Sequence, residues 1–159
     1  MIEAAARRYR ATMQNLIDLH YPELKNMKIY LFRYHFRYFW ASAIWLIPFH
    51  VILLSPRTDT LEDDALRGLL GHELSHLSRY QEKGWFKYLI VYPFIYIFSK
   101  KGVIAEENAV DKLTIKKGLG KELFALRVVC DNDAKHARVN HRYLTTDEIS
   151  QHDDQNYKW

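Results

Sequence analysis

The chain has 159 residues, 48% hydrophobic and 26% charged, which excludes a wholly disordered or collagen-like protein and suits one globular domain. Lys and Arg exceed Asp and Glu by 23 to 19, and the resulting net charge of +4 is too small to argue for a nucleic-acid partner by itself. The single Cys130 excludes an internal disulfide framework and points to a reducing compartment such as the cytoplasm.

The opening MIEAAARRYR has an acid and three arginines where a secretory signal would carry its apolar core, so no signal peptide is expected. Residues 2–19 bring Ile2, Tyr9, Met13, Leu16 and Ile17 near helical spacing and end before Tyr21-Pro22, which predicts an amphipathic first helix. Residues 28–32 and 37–55 are rich in β-branched and aromatic side chains, are broken by Pro48 and close at Ser55-Pro56. They read as two or three strands of a small, twisted, mostly antiparallel sheet. Asp59, with Glu62 three residues on, reads as a helix cap. The stripe Leu66, Leu69, Leu70, Leu74 and Leu77 predicts a helix over 61–80, stopped by Gly84. A further helix is expected over 105–117 with Gly118 as its stop, and another over 121–130. The pattern is α+β in a single domain over 1–159, with 145–159 expected to be a loose polar tail.

Two apolar stretches bear on membranes. Residues 39–54 are interrupted by Pro48 and His50, and residues 85–98 by Lys87 and Pro93, so neither supplies the roughly 20 clean residues of a spanning helix. Tyr88, Tyr92 and Tyr96, four apart, would form a face of apolar rings with polar tips, suited to weak contact with a membrane surface. The expectation is a cytoplasmic protein, at most peripheral to a membrane.

The chemistry concentrates in Gly71-His72-Glu73-Leu74-Ser75-His76, an HExxH motif inside the predicted helix. Positions i and i+4 share a helical face, so both imidazoles can reach one Zn²⁺ at about 2.0 to 2.1 Å. Glu73 stands one step round the helix, beside the metal rather than on it, where it can take a proton from an activated water. A metzincin would carry Gly at 79 and His at 82; Arg79 and Glu82 stand there instead. The third ligand is therefore sought as a carboxylate on a second helix. In Ala105-Glu106-Glu107-Asn108-Ala109-Val110-Asp111, Glu107 and Asp111 share a face, so Glu107 can bind metal while Asp111 holds the distal nitrogen of a ligand histidine. Glu106 has Val110 at the matching position.

HELSH followed by ENAVD resembles the gluzincin metallopeptidases, and most of all the minigluzincins, small soluble relatives of the HtpX and CAAX prenyl protease catalytic domains. The resemblance runs over residues 28–124. It implies a zincin-like fold with an active-site helix and a second metal-binding helix, zinc on His72, His76 and Glu107, Glu73 as general base and acid, and Asp111 behind a ligand. It also implies hydrolysis of a peptide or protein substrate. Such relatives stabilise the oxyanion with a His, Tyr or Arg downstream of the Glu ligand. His136, Arg138, His141 and Tyr143 are the candidates, and His141 is favoured for its place after the last expected helix. An extended substrate would pair with an edge strand, expected at 39–44, with Ala41, Ser42 and Ala43 as its contacts.

Arg33, His35 and Arg37 alternate with Tyr34, Phe36, Tyr38 and Phe39, a pattern that can stack bases and neutralise phosphates. It offers the alternative of an SprT-like protease working near nucleic acid, although that group uses a third histidine. The other alternative is a latent or non-catalytic zinc-binding protein, against which the intact Glu73 argues.

Overall fold

The first helix, α1 (Ile2–His20), turns Tyr9, Met13, Leu16 and Ile17 into the core, each more than nine-tenths buried, as their spacing predicts. The structure is a computed structural model that describes residues 2–46, 49–84, 98–134, 136 and 139–156. Strands β1 (Ile29–Arg33), β2 (Ala41–Leu46) and β3 (Phe49–Leu54) form one sheet in the order β1-β3-β2. β2 runs antiparallel to β3, but β1 runs parallel to it, so the sheet is mixed rather than mostly antiparallel. The cause is topological. The chain reverses once after β1 and again after β2, so β3 regains the direction of β1 and pairs with it, and β2 takes the far side.

Side chains alternate across this sheet with the period of two that strands impose. Ile29 and Leu31, Ala41 and Ala43, and Ile52 and Leu54 face the helices, with Ile52 and Leu54 fully buried. β3 leads through a short 3₁₀ turn (Pro56–Thr60) that Ser55 caps by accepting from Arg57 N–H. Asp59 does not cap the next helix. It accepts from Arg33 Nη2 at 2.7 Å and from the Tyr9 hydroxyl, tying β1 to α1. Helix α2 (Asp63–Lys83) begins instead after Glu62, whose side chain makes no cap bond, and Asp63 and Asp64 lie at its positive end. It stops at Gly84, whose φ of 80° suits a residue without Cβ. Leu66, Leu69, Leu70, Leu74 and Leu77 are all buried, as the stripe predicts.

Helix α3 (Lys100–Thr114) starts one turn earlier than expected because Ser99 Oγ accepts from Gly102 N–H at 3.0 Å. It widens into a single π turn (Ile115–Leu119), where Gly118 at φ 83° bends the chain into α4 (Gly120–Asp131). α2 and α4 cross closely at Gly68. A Cβ there would lie 2.6 Å from the Glu122 carbonyl carbon, against backbone that cannot turn aside. Gly68→Ala is expected to lower stability by about 1 to 3 kcal/mol, read as a fall in the urea midpoint at unchanged slope.

The segment expected to be a loose tail is ordered as α5 (Thr146–Asn156). Thr145 and Glu148 form a reciprocal capping box: the Glu148 carboxylate accepts from Thr145 N–H at 2.8 Å, and Thr145 Oγ1 accepts from Glu148 N–H at 3.3 Å. Ile149 is buried in the core, which pins the helix against α4. Tyr88, Tyr92 and Tyr96, and with them most of the 85–98 stretch, lie outside the described residues. Among the described residues no helix is long and apolar enough to cross a membrane.

Candidate metal centre

One helical turn of α2 sets the His72 and His76 rings 4.9 Å apart, centroid to centroid, on the face turned toward α3. From α3, Glu107 brings Oε2 to 3.3 Å from His72 Nε2 and 3.4 Å from His76 Nε2. All three residues are buried, and their ligand atoms lie within 4.8 Å of one another. Donors about 2.0 to 2.1 Å from a tetrahedral centre stand about 3.3 to 3.4 Å apart, so this set of two imidazoles and one carboxylate fits Zn²⁺. The rear of α2 is held to α3 by buried hydroxyls. Tyr21 donates to the Gly71 carbonyl at 2.8 Å and lies 2.8 Å from Ser75 Oγ, which lies 2.9 Å from Thr114 Oγ1.

Asp111 sits one turn beyond Glu107, where the spacing predicts it. His72 Nδ1–H donates to Asp111 Oδ1 at 2.8 Å, which turns Nε2 toward Glu107. Asp111 also accepts from Arg127 Nη2 at 3.0 and 3.1 Å, one contact to each oxygen, and from Leu144 N–H at 3.0 Å. Arg127 escapes a motif search because it belongs to none. Its signal is its position: Leu123, Leu126, Arg127 and Cys130 fall on one helical stripe, so a charge stands on a face otherwise apolar. Burial alone would raise the Asp111 carboxyl, but Arg127 and His72 hold it below its ordinary range. For His72 burial acts to lower the pKa, yet hydrogen bonds to Asp111 and Glu107 push it up to about 10. Glu107 is drawn well below the usual carboxylate range against its own burial by His76 and His72. A divalent cation at this site competes with protons for the same donor atoms.

Glu73 points beside this cluster and is 4% exposed. Burial raises its pKa, the two histidines temper the rise, and the Ala43 backbone N–H donates to it. Its Oε2 has no hydrogen-bond partner among the described residues. Glu73 and His72 line a small cavity of about 20 Å³ with Trp40, Ala41, Arg127, His136 and Tyr143 among its walls. Ala41, Ser42 and Ala43 lie on β2, whose only partner among the described residues is β3, so the expected edge strand passes along this cleft.

His141 does not face the cleft. It is exposed in a short 3₁₀ turn (Asn140–Arg142) and lines a hollow with Asn108, Asp131 and Glu148 that adjoins the cleft through Arg127 and Tyr143, rather than the cavity beside Glu73. The chain returns to the cleft two residues later, at Tyr143, whose ring lies 5.7 Å from that of His72 and 5.8 Å from that of His136, beneath the Arg127 guanidinium at 4.1 Å. Burial, with Glu107 and Glu73 nearby, keeps the Tyr143 phenol protonated well above its ordinary range, so it remains a donor. His136 is lowered by burial, and its Nδ1–H donates to the Tyr38 carbonyl at 2.9 Å, which leaves Nε2 an acceptor. Arg138 lies outside the described residues.

Glu106 points the other way, accepting from Arg79 Nε at 2.9 Å, Arg79 Nη2 at 2.7 Å and Lys83 Nζ at 3.1 Å. The two neighbouring acids therefore divide their work. Glu107→Gln is expected to weaken zinc binding by at least about tenfold, and Glu106→Gln to leave it within about twofold while lowering stability. Competition titration with a chromophoric chelator measures both. Comparison with protein-family models, with curated proteins and with solved structures finds no match to this chain.

Proposed function

We propose that the chain is a zinc-dependent endopeptidase, in which His72, His76 and Glu107 hold the ion and Glu73 moves the protons. The observation that carries this reading is the spacing of the three donor atoms, with Glu107 Oε2 3.3 and 3.4 Å from the two histidine Nε2 atoms and all within 4.8 Å of one another, and a buried Glu73 carboxylate alongside whose Oε2 has no partner among the described residues. A carboxylate as third donor favours it over the SprT-like arrangement, which needs a third histidine.

Zinc held there supplies Lewis acidity, lowering the pKa of a water toward about 7 and polarising the scissile carbonyl. Glu73 accepts the proton of the attacking water as the new C–O bond forms, then delivers it to the amide nitrogen as the C–N bond breaks. Ala43 N–H keeps the carboxylate aimed at the cleft. Tyr143, which lines the cavity beside Glu73 and keeps its phenol protonated, takes the oxyanion-donor role in place of His141. An extended substrate adds to the outer edge of β2 at Ala41 and Ser42, beside Ala43, whose N–H is given to Glu73.

Metal analysis and a quenched-fluorescence peptide library test the reading together. One zinc per chain, absent from His76→Ala, with cleavage abolished by a chelator and restored by zinc, is the expected result. Zinc below stoichiometry and unchanged in His76→Ala, or a zinc-loaded chain that cleaves nothing, would overturn it.

A further inference from the structure

The sheet has a second face, opposite the core, and it is apolar too. Strand alternation puts Tyr30 and Phe32 of β1, Ile44 of β2 and Phe49 of β3 on it, exposed by 44%, 55%, 37% and 43%. Tyr30 packs on both Phe32 and Phe49, with ring centroids 6.4 and 5.7 Å away, and the half-buried Leu53 continues the surface along β3 past the buried Val51. Such a contiguous patch on a soluble face marks a contact surface rather than scattered exposure.

Charge says what kind. Between Glu23 and Asp59 the chain has no acid at all, and it carries Lys25, Lys28, Arg33, Arg37 and Arg57. Arg33 and Arg57 are engaged by Asp59 and Asp133. Lys25, Lys28 and Arg37 are exposed and make no ion pair among the described residues. The Lys28 carbonyl accepts from His50 N–H at 3.1 Å, which extends the register of β1 and puts Lys28 on the same side as Tyr30 and Phe32.

We propose that this outer sheet face docks on an anionic bilayer surface, its aromatic and aliphatic side chains entering the headgroup boundary and Lys28, with the exposed Lys25 and Arg37 that flank β1 in the chain, meeting lipid phosphates and carboxylates. A second copy of the chain is a poor occupant because two such faces would oppose like charges. A nucleic-acid strand is a poor one because the centre of the patch offers, besides rings, only the Tyr30 hydroxyl and Ser42 to hydrogen-bond a base. β2 belongs both to this face and to the cleft, so docking would hold the metal centre beside the membrane.

The test is flotation of the full chain with vesicles of phosphatidylcholine alone or with about 30 mol % phosphatidylserine. Binding is expected to rise at least about tenfold with the anionic lipid, to be lost in Phe32→Glu and to fall at least about fivefold in Lys28→Glu/Arg37→Glu, with circular dichroism unchanged in both. These positions are exposed, so neither variant removes core packing. Flotation that is absent, equal on both vesicles or indifferent to Phe32→Glu would overturn the proposal. So would self-association, or retention of a single-stranded oligonucleotide, that Phe32→Glu abolishes.

Discussion

Glu73→Gln is expected to keep zinc and fold while peptide hydrolysis falls by about 10² to 10⁴-fold. The amide matches the carboxylate in size, and Ala43 N–H still finds an oxygen to bond. What is lost is the ability to accept a proton from water and return it to the leaving nitrogen. Stability should not suffer. The folded pKa of Glu73 lies above its unfolded value because burial disfavours the charged form, so the ionised carboxylate opposes folding of the metal-free chain at neutral pH. A neutral amide removes that opposition. Activity should also fail in acid, because a protonated Glu73 cannot take the proton of the attacking water. Zinc content, thermal unfolding and the pH dependence of kcat/KM decide the matter. A variant with near wild-type turnover would take Glu73 out of the mechanism.

Where the sequence was legible, one periodicity sufficed. The leucine stripe of α2 and the i, i+4 histidines are properties of a single helix, and both stand as expected. The choice of Glu107 over Glu106 also rested on one helical turn, since only Glu107 has an acid four residues on. The misreadings needed knowledge of space. The direction of β1 depends on how many reversals separate it from β3, which composition does not encode. His141 looked suitable by chain position, but the 3₁₀ turn over Asn140–Arg142 rotates it outward and brings Tyr143 in. The last helix is a different case. Its Thr145-x-x-Glu148 signature was present, and the polarity of the residues around it concealed the single buried Ile149 that docks it.

Asp111→Asn is expected to remove about 3 to 5 kcal/mol of stability, a large part of what a domain of this size possesses. Four hydrogen bonds converge on the carboxylate from His72, Arg127 and Leu144, and the residue is fully buried. Arg127 is 5% exposed, and an uncharged partner leaves its guanidinium buried without a counter-charge. The effect has a pH signature. Despite the opposing effect of burial, Arg127 and His72 place the folded pKa of Asp111 below the ordinary 3.8, so its contribution is complete above that value and disappears as pH falls through the folded pKa. The gap between wild type and variant in urea midpoint should therefore be widest near neutrality and shrink in acid. Because the same carboxylate orients His72, zinc affinity should drop about 10- to 100-fold as well, measured with the variant still folded. If affinity falls while stability in the presence of a chelator does not, Asp111 serves the metal alone. If both fall together, as expected, the buried pair that supports the helices is also the one that holds the ligand histidine in place.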